Sequence, residues 1–142
     1  RITVGTVVSF PLGQEMRDVK ILSAIEAVRM GADELDVSMN VGLFKAKKYQ
    51  LVLAEMKAVV KAAKTLRRQV LVKFIIETGW LTAGEIKKAS QLVLQSGADF
   101  VKTCSGMGPR GATLDDVKLI KSAVGGRIRI KVAGGIRTFE QA

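Results

Sequence analysis

Hydrophobic and polar positions alternate between two periods along the whole chain. Val- and Ile-rich runs with a two-residue period fall at residues 2–10, 34–39, 69–76, 100–103 and 128–133. They read as strands. Between them, at residues 15–30, 49–66, 83–96 and 114–124, apolar positions recur every three to four residues, as on one face of a helix. Thr82 and Thr113 stand where N-caps are expected, and Thr138 is placed to start a further helix. Gly31 and Gly97 close helices ahead of Ala-Asp, a turn signal that occurs twice. No linker or low-complexity stretch interrupts the pattern, so residues 1–142 are expected to form one domain. Repeated strand–helix units imply an α/β fold with a parallel sheet and right-handed crossovers.

Parity within the strands predicts how the sheet curls. Val70, Val72, Phe74 and Ile76 share one face, while Lys73 and Glu77 stand beside Leu71 and Ile75 on the other. Leu35, Val37 and Met39 oppose Asp36, Ser38 and Asn40 in the same way, and Ile128, Ile130 and Val132 oppose Arg129, Lys131 and Ala133. In a (β/α) barrel the outer face packs on helices and is apolar, whereas polar groups near the C-terminal strand ends face the axis. Asp36, Lys73, Lys102 and Lys131 all take the inward parity. A doubly wound sheet, covered on both faces, accounts for four inward charges less well.

Composition removes several classes of chemistry. The chain of 142 residues has 48% hydrophobic but only 5% aromatic residues, so its core is aliphatic. Histidine is absent, which excludes His triads and His metal ligands, and no Cys/Asp/Glu cluster replaces them. Neither a metal nor a cofactor is expected. No apolar run approaches the roughly 18 residues of a membrane span, and no signal-peptide pattern is present. With a single cysteine, Cys104, these features lead to the expectation of a cytoplasmic protein without a membrane partner. The net charge of +10 raises the question of nucleic acid. Lys57, Lys61, Lys64 and Arg68, however, recur at helical spacing as a solvated face would, and no aromatics interleave with them. No specific nucleic-acid partner is expected, only weak attraction to polyanions.

Two lysines then stand out, Lys102 in Asp99-Phe-Val-Lys-Thr and Lys131 in Ile130-Lys-Val-Ala-Gly-Gly. Each sits in an apolar strand, where desolvating an ammonium is costly. A lysine in such a place is paired or chemically useful. Lysines that attack carbonyls need a lowered pKa, and a second cation nearby is one way to lower it. The pair points to Schiff-base chemistry, against the ordinary alternative that each lysine snorkels to solvent.

These segments closely resemble the deoxyribose-phosphate aldolases, a family of class I aldolases on the (β/α)8 TIM barrel. The likeness runs in order through Thr6-Val-Val-Ser-Phe-Pro-Leu-Gly13, Gly31-Ala-Asp-Glu-Leu-Asp-Val-Ser-Met-Asn-Val-Gly42, Val72-Lys-Phe-Ile-Ile-Glu-Thr-Gly79, residues 97–113 and Lys131–Thr138. The resemblance implies a lyase of deoxyribonucleotide catabolism that reversibly cleaves 2-deoxy-D-ribose 5-phosphate to glyceraldehyde 3-phosphate and acetaldehyde. It places the Schiff base on Lys102, the second active-site lysine at Lys131, the proton relay at Asp36 and a further active-site lysine at Lys73. Gly134 and Gly135 correspond to glycines of the phosphate site, and Ser105 and Gly106 are assigned to substrate binding beside them. Arg110 and Arg137 are further candidates for the phosphate, with solvated surface charge as the ordinary alternative. Cys104 replaces the family's usual serine, and Ser105 its usual threonine.

A TIM barrel takes about 250 residues. About five βα units are present, matching the third to seventh strands of the family's barrel. The chain is therefore expected to be an internal segment lacking the first two strands and the last. A homo-oligomer, dimer or tetramer, is expected of the full-length protein. The competing reading is a truncated, non-catalytic βα module that binds phosphorylated ligands or polyanions through its basic surface.

Overall fold

The computed structural model describes residues 2–141. Strands β1 (Gly5–Val8), β2 (Glu34–Ser38), β3 (Leu71–Ile75), β4 (Phe100–Lys102) and β5 (Arg129–Lys131) lie side by side in chain order, and every neighbouring pair is parallel. Helices α1 (Arg17–Arg29), α2 (Val41–Lys45), α3 (Tyr49–Leu66), α4 (Ala83–Ser96) and α5 (Leu114–Val124) connect them. In the outer layer α1 packs on α3, α3 on α4, and α4 on α5. The helices thus form one continuous layer. This is the arrangement of a β/α barrel's wall rather than of a doubly wound sheet.

Parity explains why. Leu35, Val37, Val70, Val72, Phe74, Ile76 and Val101 are fully buried in one core with Val52, Met56, Val59, Ile86, Val93 and Ile120 of the helices. Each such side chain contributes about 1.5–3 kcal/mol by leaving water. The opposite face of the sheet carries the charges. Predicted helices 49–66, 83–96 and 114–124 are observed with those bounds. Thr82 and Thr113 both close capping boxes, with Glu85 and Asp116 as the reciprocal partners. Gly97 ends α4 in the left-handed conformation expected of it.

Two details differ from the sequence pattern. The first strand is four residues long rather than nine; it pairs only from Gly5, and Ser9 ends it by turning out of extended geometry at φ 55°. Residues 41–45 form α2, which no periodicity announced; Asn40 Oδ1 caps it by accepting from Leu43 N at 3.0 Å. Directly after Thr138, where the pattern places a helix start, the described chain forms a 3₁₀ turn, Phe139–Gln141.

β1 and β5 do not pair with each other, so the five strands remain an open arc. Val4, Val7 and Val132 stand exposed at or beside its two edges. Among the described residues, no helix is long and apolar enough to cross a membrane. Of the basic stripe, Lys57, Lys61 and Arg68 are exposed, and Lys64 pairs with Asp99 at 2.8 Å.

Candidate active site

Strand register brings the inward charges into two adjoining layers. Asp36 is opposite Lys73 across β2 and β3, and Lys102 is opposite both Ile75 and Lys131 across β3, β4 and β5. The long lysine side chains of the second layer reach back to the first. Asp36 Oδ2 accepts from Lys102 Nζ at 2.6 Å and from Lys131 Nζ at 2.7 Å. Asp36 Oδ1 lies 3.3 Å from Lys73 Nζ. All four residues named from the sequence therefore meet at one carboxylate.

That carboxylate carries the electrostatics of the cluster. Burial would raise its pKa, but hydrogen bonds from Lys102 and Lys131 and the charges of Lys102 and Lys73 outweigh it and hold Asp36 below its ordinary value. Lys73 shifts upward, because its hydrogen bond to Glu34 and its attraction to Asp36 overcome the opposing effect of burial. Lys73 accordingly stays protonated at neutral pH and serves as a fixed cation. Glu34, its direct partner, was not visible in the sequence pattern because it sits at the strand's first residue. The two second-layer lysines differ in exposure. Within this chain the Lys102 side chain is 10% exposed and that of Lys131 is 37%.

The glycine turns converge beside the lysines. Gly106, Gly134 and Gly135 have φ of 89°, 89° and 81°, a region that disfavours any Cβ. A Cβ on Gly134 would stand 2.8 Å from Cys104 Cβ and 3.4 Å from Gly106 N, so the turn after β5 presses directly on the loop after β4. Gly134 O also accepts from Ala112 N at 3.0 Å. Ser105 N donates to Glu77 Oε2 at 3.1 Å, and Ser105 Oγ accepts from Met107 N at 3.0 Å. Cys104 is fully buried, and its Sγ lies 3.1 Å from Thr78 Oγ1. Burial pushes its thiol up despite that hydrogen bond, which disfavours the reactive thiolate.

Arg110 is not held open for an anion. It grips Asp116 in bidentate fashion, at 2.6 and 2.9 Å, and also donates to Thr78 O at 3.1 Å. Asp116, nearly fully buried at the start of α5, accepts in addition from Thr78 Oγ1 at 2.9 Å and Thr113 N at 3.0 Å. The network pins the β4–α5 loop, which carries Ser105 and Gly106, to the turn after β3. Asp116→Ala is expected to lower stability at pH 7 by about 2–4 kcal/mol through the lost cap and the unpaired Thr78 and Arg110. Burial opposes ionisation of Asp116, but bonds from Arg110 and Thr78 win and lower its pKa. The deficit should therefore be full above the ordinary value of 3.8 and close as pH falls through the lower, folded value. Urea melts at pH 7 and pH 3 measure this, and a deficit below about 0.5 kcal/mol at pH 7 would contradict it.

A cavity of about 240 Å³ opens among the loops that follow β1 to β4. Of the candidate residues it includes only Ser105, and none of the three lysines lines it. The strand-end cluster faces the open side of the arc instead. Among the described residues no three His, Cys, Asp or Glu side chains converge to hold a metal ion.

Residues 3–142 match the model of the DeoC/LacD family aldolases. The chain is 44% identical over 142 residues to the deoxyribose-phosphate aldolase of Aquifex aeolicus, covering 100% of this chain and 63% of that protein. The solved structure of the aldolase QR15 superposes with a TM-score of 0.92 at 44% identity, over 99% of this chain and 62% of that one. A deoxyribose phosphate aldolase from Aeropyrum pernix, described as a unique tetrameric structure, gives 0.85 at 30% identity over 96% and 56%. The chain thus spans about 63% of the length of the first curated relatives it matches.

Proposed function

The chain belongs to the DeoC/LacD family of aldolases, and from that premise we propose that it carries the carbonyl-activating site of a deoxyribose-phosphate aldolase. The observation that supports the reading most is the sharing of one buried Asp36 oxygen by Lys102 and Lys131 at the inward strand ends. The substrate is 2-deoxy-D-ribose 5-phosphate in its open-chain form. Lys102 passes a proton to Asp36 across their hydrogen bond and attacks C1 as the neutral amine; Asp36 returns that proton to the carbinolamine hydroxyl, which leaves as water and leaves the iminium beside an ionised Asp36. Asp36, directly or through a bound water, takes the proton of the C3 hydroxyl. The C2–C3 bond breaks, its electron pair flows into the imine to give an enamine, and glyceraldehyde 3-phosphate leaves. Protonation of the enamine carbon and hydrolysis then release acetaldehyde and restore Lys102.

The remaining residues keep the charges in place. Lys131 and Lys73 continue to hold Asp36 when Lys102 turns to the substrate, and Asp36 offsets the positive imine. Backbone N–H groups around Gly106, Gly134 and Gly135, with Ser105, offer the phosphate and hydroxyls a surface free of side chains. The iminium is the electron sink, so the reaction needs no metal or cofactor. We place residues 1–142 in one partial barrel domain of a cytoplasmic enzyme of deoxyribonucleotide catabolism that assembles as a homo-oligomer.

The test is borohydride reduction in the presence of acetaldehyde, followed by peptide mass spectrometry. An ethyl adduct on Lys102 is the expected result. A folded whole protein that gains no adduct there would sink the Schiff-base reading.

A further inference from the structure

A fully buried lysine lies behind the cluster rather than within it. Lys20 occupies the buried stripe of α1 together with Ala24 and Val28. Its Nζ donates to Gly13 O at 2.9 Å, to Ser38 O at 3.2 Å and to Glu55 Oε1 at 2.6 Å. The three acceptors belong to the β1–α1 loop, the last residue of β2, and α3. A buried ammonium is tolerated only when its charge is paired and its N–H groups are satisfied. Here all three donors have acceptors, each from a different element, and their directions leave those elements little freedom.

What the ammonium ties together lies directly on the catalytic strand. Ser38 is two residues beyond Asp36 on β2 and shares its inward parity. The loop is seated there without clearance: a Cβ at Gly13, where φ is 67°, would stand 2.1 Å from Met39 O. Any slip of the loop or of the strand end moves Asp36 relative to β4 and β5. Asp36 Oδ2 meets two donors at 2.6 and 2.7 Å, an arrangement with little tolerance for displacement.

We propose that Lys20 is a positioning residue: with Glu55 as its counter-charge, it locks the end of β2 and the β1–α1 loop so that Asp36 Oδ2 stays within reach of both Lys102 and Lys131. The inference rests on the aldolase reading above. It goes beyond an ordinary structural ion pair, because it assigns the function to the bonds with Gly13 O and Ser38 O rather than to the charge pair. A charge pair alone is replaceable: an apolar substitute of similar volume is often neutral or stabilising.

The double variant Lys20→Met/Glu55→Met separates the two roles. In the whole protein its melting temperature should stay close to that of the parent, and its KM for deoxyribose 5-phosphate should change less than about threefold. Its kcat should fall about ten- to a hundredfold, the cost expected of displacing a reacting group by about 1 Å. Borohydride trapping at Lys102 should slow in parallel. A folded double variant with parental kcat and trapping rate overturns the proposal while leaving the aldolase reading intact. A parent protein that shows no Lys102 adduct overturns that reading, and this inference with it. If the double variant does not fold, Lys20→Arg decides. Its planar guanidinium keeps the Glu55 pair but cannot present donors from a single point to both carbonyls. A kcat lowered at least about tenfold supports positioning, and a parental kcat overturns it.

Discussion

Replacing Lys102 with alanine is expected to abolish the acetaldehyde adduct and to slow cleavage of deoxyribose 5-phosphate by at least about a thousandfold. On the proposed mechanism the variant loses its nucleophile, and with it the imine that accepts the electrons of the C2–C3 bond. Lys131 is the obvious substitute, since it donates to the same Asp36 oxygen. Within this chain its side chain is 37% exposed against 10% for Lys102, however, so it is the less enclosed of the two amines. Lys73 is a worse substitute, because Glu34 and Asp36 together raise its pKa against the effect of burial. Folding should survive the change, because Asp36 keeps Lys131 and Lys73 as partners. A cooperative melt with a loss of no more than about 3 kcal/mol would show that the effect is chemical rather than structural. A strong adduct on another lysine in the alanine variant, at the parental rate, would remove Lys102 from its role.

Much of this architecture is legible in the sequence, for reasons particular residues make plain. Helices α3, α4 and α5 have apolar stripes and polar or glycine boundaries that agree, so period and punctuation point to the same ends. Strand parity placed Asp36, Lys73, Lys102 and Lys131 on one face, and because register partners share a face, the four residues had to converge once the strands paired in order. What stayed hidden depends on contacts across long separations. Glu34 meets Lys73 across 39 residues, and Glu55 meets Lys20 across 35. The second pair leaves a local trace at each of its members, a charge on an apolar stripe: Lys20 falls in line with Ala24 and Val28, and Glu55 with Val52, Met56 and Val59. Such a charge is a reliable signal that a partner exists, though not of which residue it is. Arg110 shows the reverse failure. Read alone it suits a phosphate, yet Asp116, six residues on, consumes its fork. Helix α2 was invisible because five residues are too few for a period, and it stands on the Asn40 cap and the packing of Phe44.

Asp36→Asn should have the second largest effect, and it should show in stability as well as rate. The substitution keeps the shape but removes the single negative charge that Lys102 and Lys131 both meet, and one of the two that face Lys73. Breaking one side of a buried ion cluster typically costs about 3–5 kcal/mol, because the partners are left desolvated and uncompensated. The pH dependence fixes the cause. Burial opposes ionisation of Asp36, but the hydrogen bonds from Lys102 and Lys131 prevail, so its folded pKa lies below the ordinary 3.8. Its contribution is therefore complete above pH 3.8 and is lost as pH falls through the lower, folded value. The gap between parent and variant should be flat near neutrality and should shrink in acid. On the alkaline side the sign reverses. Lys73 has a pKa raised above 10.5, and its favourable contribution disappears as pH rises through that folded value. The variant, which keeps only Glu34 as a partner for Lys73, should have less of this contribution to lose than the parent. Catalysis should fall as well, since the proposed relay loses its carboxylate, a role worth about 10²–10⁴ in rate. Denaturant melts across the pH range, paired with kcat measurements, test both parts together. A variant as stable as the parent at pH 7 would mean that the three lysines do not depend on Asp36. Parental kcat in a folded variant would take the proton relay away from it.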